Sequence, residues 1–399
     1  MEKKLIMKRR DLLWYLAFTI FIIYSMISNT FFYQYIYNII SYKSVLVISF
    51  TILMAREYLF EKYNIKLLLS GIFMFVLVFI SSHTGLTSIT VNIMCIILFS
   101  YTSRNIKFED IAIFSAKLCF VTLIIIVLCS KMGVIDDYIF YQDGRNRHSL
   151  GFLYALYPSS ILFNVVGLYI YAKKETIKFT RLFLFGAINQ WIFALTNSRM
   201  NYYTVAILLI VALVLKYIQP TKMKSILWRL MTIIYPVCFA LSLYSTIEFG
   251  LGAEWAKSLN TILGGRLRFG YASLIEYGVS YFGQKISMSG SGLDIFGNLA
   301  TGTYTWVDSM YIQLIQRFGI VLSVVILCIM TLVMFKYLTR KNYWMLIILS
   351  VFALHGIIDD LILYIHCNTF WIAVGGTIIN YVKDYRSNKN YLKEFDKII

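Results

Sequence analysis

The sequence predicts an all-α polytopic membrane protein with about twelve transmembrane helices, and three observations carry that prediction. Apolar stretches of roughly 17–22 residues, the length that spans a bilayer, recur along nearly the whole chain. The chain is 59% hydrophobic and only 14% charged. Its Lys and Arg residues concentrate in alternate loops, as the positive-inside rule requires. Lipid satisfies no backbone polar group, so each span must be a helix.

In order, the apolar runs predict helices over 12–29, 36–55, 66–82, 86–101, 111–130, 150–171, 180–196, 200–217, 229–247, 307–335, 343–356 and 360–381. With a cytoplasmic N-terminus, roughly 26 Lys and Arg fall inside and about nine outside. Lys3, Lys4, Lys8, Arg9 and Arg10 open the inner set, and Lys173, Lys174, Lys178 and Arg181 continue it. Lys216, Lys222, Lys224, Arg229 and the tail complete it. The second span is the weakest, because Lys43 and the Arg56–Glu57 pair crowd a short apolar core. Losing it would invert everything downstream, so the charge count argues for keeping it. Lys117, inside the fifth span, is close enough to the cytoplasmic end to snorkel.

Two outer segments are long, 131–149 and 248–306. The chain therefore divides into helices 1–9 over 1–247, a large extracytoplasmic loop over 248–306, and helices 10–12 with a cytoplasmic tail over 307–399. Within the loop, Ala253 to Leu263 and Arg266 to Phe282 both read as helices. The second places Phe269, Ser273, Leu274 and Tyr277 on one face.

The net charge of +17 fits cytoplasmic anchoring loops and anionic lipid, and no basic soluble domain is present to bind nucleic acid. The basic N-terminus precedes an apolar run without a small-residue cleavage site, so it reads as a first helix rather than a signal. None of the six cysteines makes a CxxC pair, and most lie inside apolar spans as small hydrophobes. Walker A and HExxH motifs are absent, and Gly290-Ser-Gly292 with Gly297 lacks the strand–helix setting of a Rossmann site.

Five outward residues break the charge rule: Arg145, Arg147, Arg199, Arg266 and Arg268. All are arginine, whose planar fork grips phosphates in bidentate fashion. Together they point to an extracytoplasmic site for a phosphorylated, lipid-linked substrate. Four segments set the rest of the pattern. Arg147 to Phe152 (RHSLGF), followed by Tyr157 and Pro158, leads from an outer loop into a helix. Thr196 to Arg199 (TNSR) closes a tight outer hairpin. Gly264 to Arg268 (GGRLR) lies in the large loop ahead of Gly290-Ser-Gly292. Val307 to Tyr311 (VDSMY), followed by Gly319, marks re-entry into the membrane.

From about 131 to 330 these segments resemble, in order and topology, the Wzy-type polysaccharide polymerases, relatives of the O-antigen ligases. One departure is that Asp308 stands where the ligase branch typically carries the histidine of a His-Asn pair, which favours the polymerase branch. The resemblance implies a GT-C-like glycosyltransferase acting on glycans carried by undecaprenyl pyrophosphate. The growing chain would move to a hydroxyl of an incoming repeat unit and lipid pyrophosphate would leave. It also implies membrane lipids, a chain-length regulator and a flippase as partners, with no cofactor.

Charge developing on the leaving pyrophosphate calls for fixed cations, each worth about 10²–10³ in rate. Arg199, Arg266 and Arg268 are the candidates, with Arg145 and Arg147 assisting binding. The acceptor hydroxyl calls for a base, worth roughly 10²–10⁴. Asp308 is the first choice, with His148, His355, Asp359 and Asp360 in reserve. Each has a structural alternative. Arg199 can anchor a helix end, Arg266 and Arg268 can pair with Glu254 or Glu276, Asp308 can cap a helix, and His355 with Asp359 can line a polar helix interface. The Asp136–Asp137 pair flanks no second acidic cluster, so no metal is expected. Trp255, Tyr271, Tyr277, Tyr281, Phe282, Tyr304 and Trp306 can stack on sugars or form an interfacial belt. Rival readings are a ligase-like glycan transferase, a lipid-linked oligosaccharide flippase, which would show internal repeats, and an O-acyltransferase built around an intramembrane histidine.

Overall fold

A computed structural model describes residues 2–61, 65–82, 84–142, 144–218, 225–299 and 303–379. The tail, Lys222 and Lys224 lie outside the described residues. The chain is mostly helical. Four helices, or five counting one bent pair, are long and apolar enough to cross a membrane.

The first eight helices are α1 (Glu2–Ile27), α2 (Tyr42–Phe60), α3 (Ile65–Ser82), α4 (Ser88–Thr102), α5 (Phe108–Lys131), α6 (Tyr157–Lys173), α7 (Phe179–Thr196) and α8 (Arg199–Tyr217). Their ends follow from local chemistry. Ser41 and Thr87 accept from the backbone N–H groups of Ser44 and Thr90 and so cap α2 and α4. Pro158 occupies the first turn of α6, where no backbone donor is needed. Asn197, in the left-handed conformation at φ 50°, ends α7 and lets α8 start at once.

After these come α9 (Ser225–Thr232) and α10 (Ile234–Gly250), which meet at 61°, so the single helix expected over 229–247 is bent. The outer loop supplies α11 (Glu254–Ile262) and α12 (Arg266–Tyr277). Both expected loop helices form, but the second stops five residues early, at Gly278 with φ 64°. Its buried stripe is Leu267, Gly270 and Ser273, rather than the face through Phe269 and Tyr277. The segment 131–149 also departs from an all-helical chain. Antiparallel strands β1 (Ile139–Gln142) and β2 (Arg145–His148) pair there, with Ile139 opposite His148, and Gly144 turns between them at φ 71°.

Successive connections gather at opposite ends of the bundle. At one end, Leu153 N–H donates to Asn29 O at 2.9 Å and Gln284 N–H to Arg317 O at 3.0 Å. At the other, the Tyr171 hydroxyl donates to Glu109 at 2.9 Å and Trp344 Nε1 to Glu175 at 2.7 Å. Here too lies a buried ionic cluster. Glu57 accepts from both Arg56 and Arg104 at 2.6 Å, tying α2 to the end of α4. Of the charges that crowd the second helix, Arg56 and Glu57 are therefore buried and matched, while Lys43 is exposed. Lys117 is exposed on α5, as snorkelling requires. Helices α4 and α6 are buried along nearly their whole length, while α3 and α7 turn Leu68, Phe75, Phe79, Phe183 and Trp191 outward.

Two expected helices are interrupted. The run over 307–335 divides into α13 (Met310–Gln313), a π turn at Leu314–Phe318, and α14 (Gly319–Thr339). The loop segment 280–284 takes up the backbone groups this break frees. Gln284 N–H donates to Arg317 O, Ile320 N–H to Ser280 O at 3.0 Å, and Val321 N–H to Tyr281 O at 3.1 Å. After α15 (Tyr343–His355), the segment expected as a helix over 360–381 is helical only in its second part. A 3-10 turn at Leu361–Leu363 and irregular chain precede an apolar helical stretch, which begins as a 3-10 turn at Thr369–Ile372 and ends as a π turn at Gly375–Ile379. Buried amides on α4 and α6 replace its missing helical bonds. Asn164 donates to His366 O at 2.9 Å and accepts from Thr369 N–H at 3.0 Å, while Asn92 accepts from Ile365 N–H at 3.3 Å. Irregular backbone survives in an apolar interior only when its polar groups are satisfied this way.

The contact at the first break needs two glycines. Gly283 and Gly319 lie at φ 93° and 81°, and a Cβ on Gly283 would sit 2.2 Å from Arg317 O. Gly283→Ala should therefore cost about 1–3 kcal/mol of overpacking beyond its backbone strain. Gly85→Ala carries only the strain, since nothing lies within 4 Å there at φ 90°. Thermal unfolding of the detergent-solubilised protein should show the larger drop for Gly283→Ala. Equal drops would mean that the loop does not seat on the break.

Candidate functional site

A cavity of about 730 Å³ opens at the end where the long loops gather. Five pieces of chain wall it: Asn29 just after α1, Leu153 to Tyr157 entering α6, the loop from Ser287 to Leu299, the stretch Tyr304 to Asp308 ahead of α13, and Asp360 to Tyr364 beyond α15. The second interrupted segment delivers Asp360, Leu361 and Tyr364 to it, and the loop seated on the first break continues into the wall at Ser287 to Leu299.

Asp308 and Asp360 sit on the wall together. The Tyr304 hydroxyl donates to Asp308 Oδ1 at 3.4 Å, and Arg266 lies 3.5 Å from its Oδ2. Trp306 Nε1 donates to Asp360 Oδ2 at 3.2 Å, and no described residue donates to its other oxygen. Both carboxyls lie outside the apolar helices that flank them. Burial lifts Asp308 above the ordinary carboxylate range; Arg266 opposes this and the negative charge of Asp359 adds to it. Burial, then Asp308 and Asp359, push Asp360 well above that range. The helix cap in this stretch is Ser309, so Asp308 is free of the capping role.

Arg266 and Asp308, both expected in the chemistry, are thus brought together. The rest of the Arg266 fork holds the protein: Nε donates to Ile358 O at 2.9 Å and Nη1 to Leu263 O at 2.7 Å. It fastens the start of α12 to the connection after α15. The alternative partners fall away, since Glu254 pairs with Lys257 at 2.8 Å. Arg268 is exposed and lies over the Phe269 ring at 4.7 Å, and Phe269 packs edge-on against Tyr304 of the cavity wall. Arg268 therefore marks the rim.

The other candidates are placed elsewhere. Arg147 is buried, with Nε donating to Thr196 O at 3.0 Å and its guanidinium 5.5 Å from the Tyr154 ring. It ties β2 to the α7–α8 turn and backs a wall tyrosine. Arg145 is half-buried on the same strand and Arg199 is exposed on that turn; neither lines the cavity. His148, expected at the substrate, pairs instead with Asp137 at 2.9 Å, which also holds Lys131 and the Leu150 N–H. Asp137 is thereby a local staple for the RHSLGF turn, where Leu150 and Gly151 both have positive φ. His355 and Asp359, also expected at the substrate, are fully enclosed behind the wall. His355 Nε2 lies 2.9 Å from Asp359 Oδ2, which accepts from Ser160 at 3.1 Å. They form a polar contact between α6 and α15. Of the aromatic candidates, Tyr304 and Trp306 reach the cavity, while Trp255, Tyr271, Tyr277, Tyr281 and Phe282 do not.

Sequence reasoning missed Arg317. Buried in the π turn, it bonds Gln313 Oε1 at 2.5 Å and Ile286 O at 3.2 Å, and lies 5.8 Å from the Trp306 ring. The signal was legible: Gln313, Gln316 and Arg317 put three polar groups at helical spacing in an otherwise apolar run.

Because Arg266 fastens the loop and Arg268 does not, Arg266→Ala should speed cleavage of residues 278–299 in limited proteolysis, and Arg268→Ala should leave the rate unchanged. Identical rates for the two variants would remove Arg266 from this role.

The chain matches no family model, no curated protein and no solved structure.

Proposed function

We propose that this chain is a Wzy-type polysaccharide polymerase, a GT-C-like glycosyltransferase that crosses the bacterial cytoplasmic membrane twelve times and works at its outer face. Each of the eleven helical runs, and the turn-rich segment after α15, is one pass in this reading. The gathering of alternate connections at opposite ends supports it. So does the outward apolar surface of α3 and α7.

The observation that carries the reading is the loop-walled cavity with Asp308 held against Arg266. The acceptor sugar hydroxyl loses its proton to Asp308 as its oxygen attacks the anomeric carbon of the growing chain. The bond from that carbon to the pyrophosphate oxygen breaks, and lipid pyrophosphate departs. Arg266 orients the base, while the exposed guanidiniums of Arg268 and Arg199 meet the leaving group. Asp360, held by Trp306 through one oxygen, turns the other to a hydroxyl of the substrate.

The test is purified protein in lipid with lipid-linked repeat units and no nucleotide. A ladder of products is expected from the wild type. It should fall about 10²-fold or more in Arg266→Ala and Asp308→Asn, with Arg266→Lys rescuing poorly for lack of the planar fork. An unchanged ladder in Asp308→Asn sinks the base assignment. No wild-type ladder, with faster lipid movement across vesicles, makes the chain a transporter instead.

The raised carboxyls give a pH signature. A folded state that holds a proton more tightly than the unfolded chain loses stability as pH rises from the ordinary carboxylate range through the folded value. Wild-type Tm should decline over that interval, and Asp360→Asn should flatten that decline. A wild-type Tm that is flat over the same interval would show that burial does not raise these groups.

A further inference from the structure

We infer that the cavity is a subsite for uncharged sugar rings and excludes acidic ones, so that the sugar seated against Asp308 is not a uronic acid. This rests on the glycosyltransferase reading and adds to it a substrate class.

Arginines surround the cavity, yet none of Arg147, Arg266, Arg268 or Arg317 lines it, and no Lys or His does. Three stand behind a wall residue, Arg147 behind Tyr154, Arg266 behind Asp308 and Arg317 behind Trp306, and Arg268 is exposed at the rim. The guanidiniums are directed into the protein, where Thr196 O, Ile358 O, Leu263 O and Ile286 O accept from them.

The wall itself offers three carboxyls and a set of neutral polar groups. Asp294 is occupied, accepting from Phe296 N–H, Asn298 N–H and the Asn298 amide. Asp360 has one oxygen with no described donor. Ser291 Oγ is buried and has no partner, and Asn29 uses its amide nitrogen on Ser25 O, leaving its oxygen as an acceptor. Hydroxyl-rich neutral rings match such groups, and the adjoining aromatic and aliphatic wall takes their apolar faces. A uronate would enter without a cation to pair with and beside Asp308 and Asp360, so it would be both desolvated and repelled. The pyrophosphate, by the same argument, stays at the rim with Arg268 rather than inside.

The experiment is equilibrium dialysis of the full chain in lipid nanodiscs against two labelled probes, triacetylchitotriose, which is uncharged, and trigalacturonate, which carries three carboxylates. Triacetylchitotriose should bind at millimolar concentration and trigalacturonate at least about tenfold more weakly. Ser291→Trp, which fills the cavity, should abolish binding of the neutral probe. Asp360→Asn and Asp308→Asn should narrow the gap between probes. Equal binding of the two, neutral binding that survives Ser291→Trp, or no binding of either overturns the inference. Its failure is separable from that of the polymerase reading. A product ladder with equal probe binding retains the enzyme and discards the selectivity. Probe discrimination without a ladder retains the sugar site and discards the reaction.

Discussion

Backbone that leaves the helix inside an apolar bundle must still bond every N–H and C=O, and that requirement shapes the cavity end of this chain. The π turn at Leu314–Phe318 frees groups that the loop segment 280–284 satisfies. Seating that segment needs two glycines in contact, so backbone bonds fix the loop here, and Arg266 and Arg317 add side-chain ties to Ile358 O and Ile286 O. Trp306 and Asp308 then follow at the loop's return, and Arg317 is turned beneath Trp306. The second break is handled differently, by the amides of Asn164 and Asn92, and it delivers Asp360 to Tyr364 to the opposite wall. A cavity built by two broken helices is a product of polar satisfaction more than of apolar packing.

Much of this was legible in the sequence, for identifiable reasons. Long apolar runs and clear caps specify α1 to α8, and the loop helices announce themselves by their period. The interruptions were less visible, because a π turn changes no hydropathy pattern and Asn92 and Asn164 look like incidental polar residues until their partners are known. Arg266 and Asp308 were found through their motifs, and the structure pairs them. Arg147, His148, His355 and Asp359 were found equally, but polarity in an outer loop or helix does not say whether a group faces a ligand or its own neighbours. Here all four are committed to neighbours. Arg317 was overlooked because attention to loop charges passed over a charge within an apolar run.

The outward arginines also change meaning once their partners are seen. A guanidinium has five donors, and the enclosed ones here serve carbonyl groups at loop ends. They work as clamps that hold an irregular roof in register, and only Arg199 and Arg268 are exposed. An excess of arginine on one side of a membrane protein is therefore evidence of an elaborate, self-bonded loop structure as much as of an anionic ligand.

The ionic cluster at the other end has a consequence for how the chain is made. Glu57 sits on α2, but one of its two close partners, Arg104, belongs to the stretch after α4. During synthesis α2 is complete long before that arginine emerges. Until then Arg56 and Glu57 have only each other and the groups near Arg10 and Glu61 for company. The second helix is thus held in place by a residue translated two helices later, and its final seating must wait for α3 and α4 to close over it.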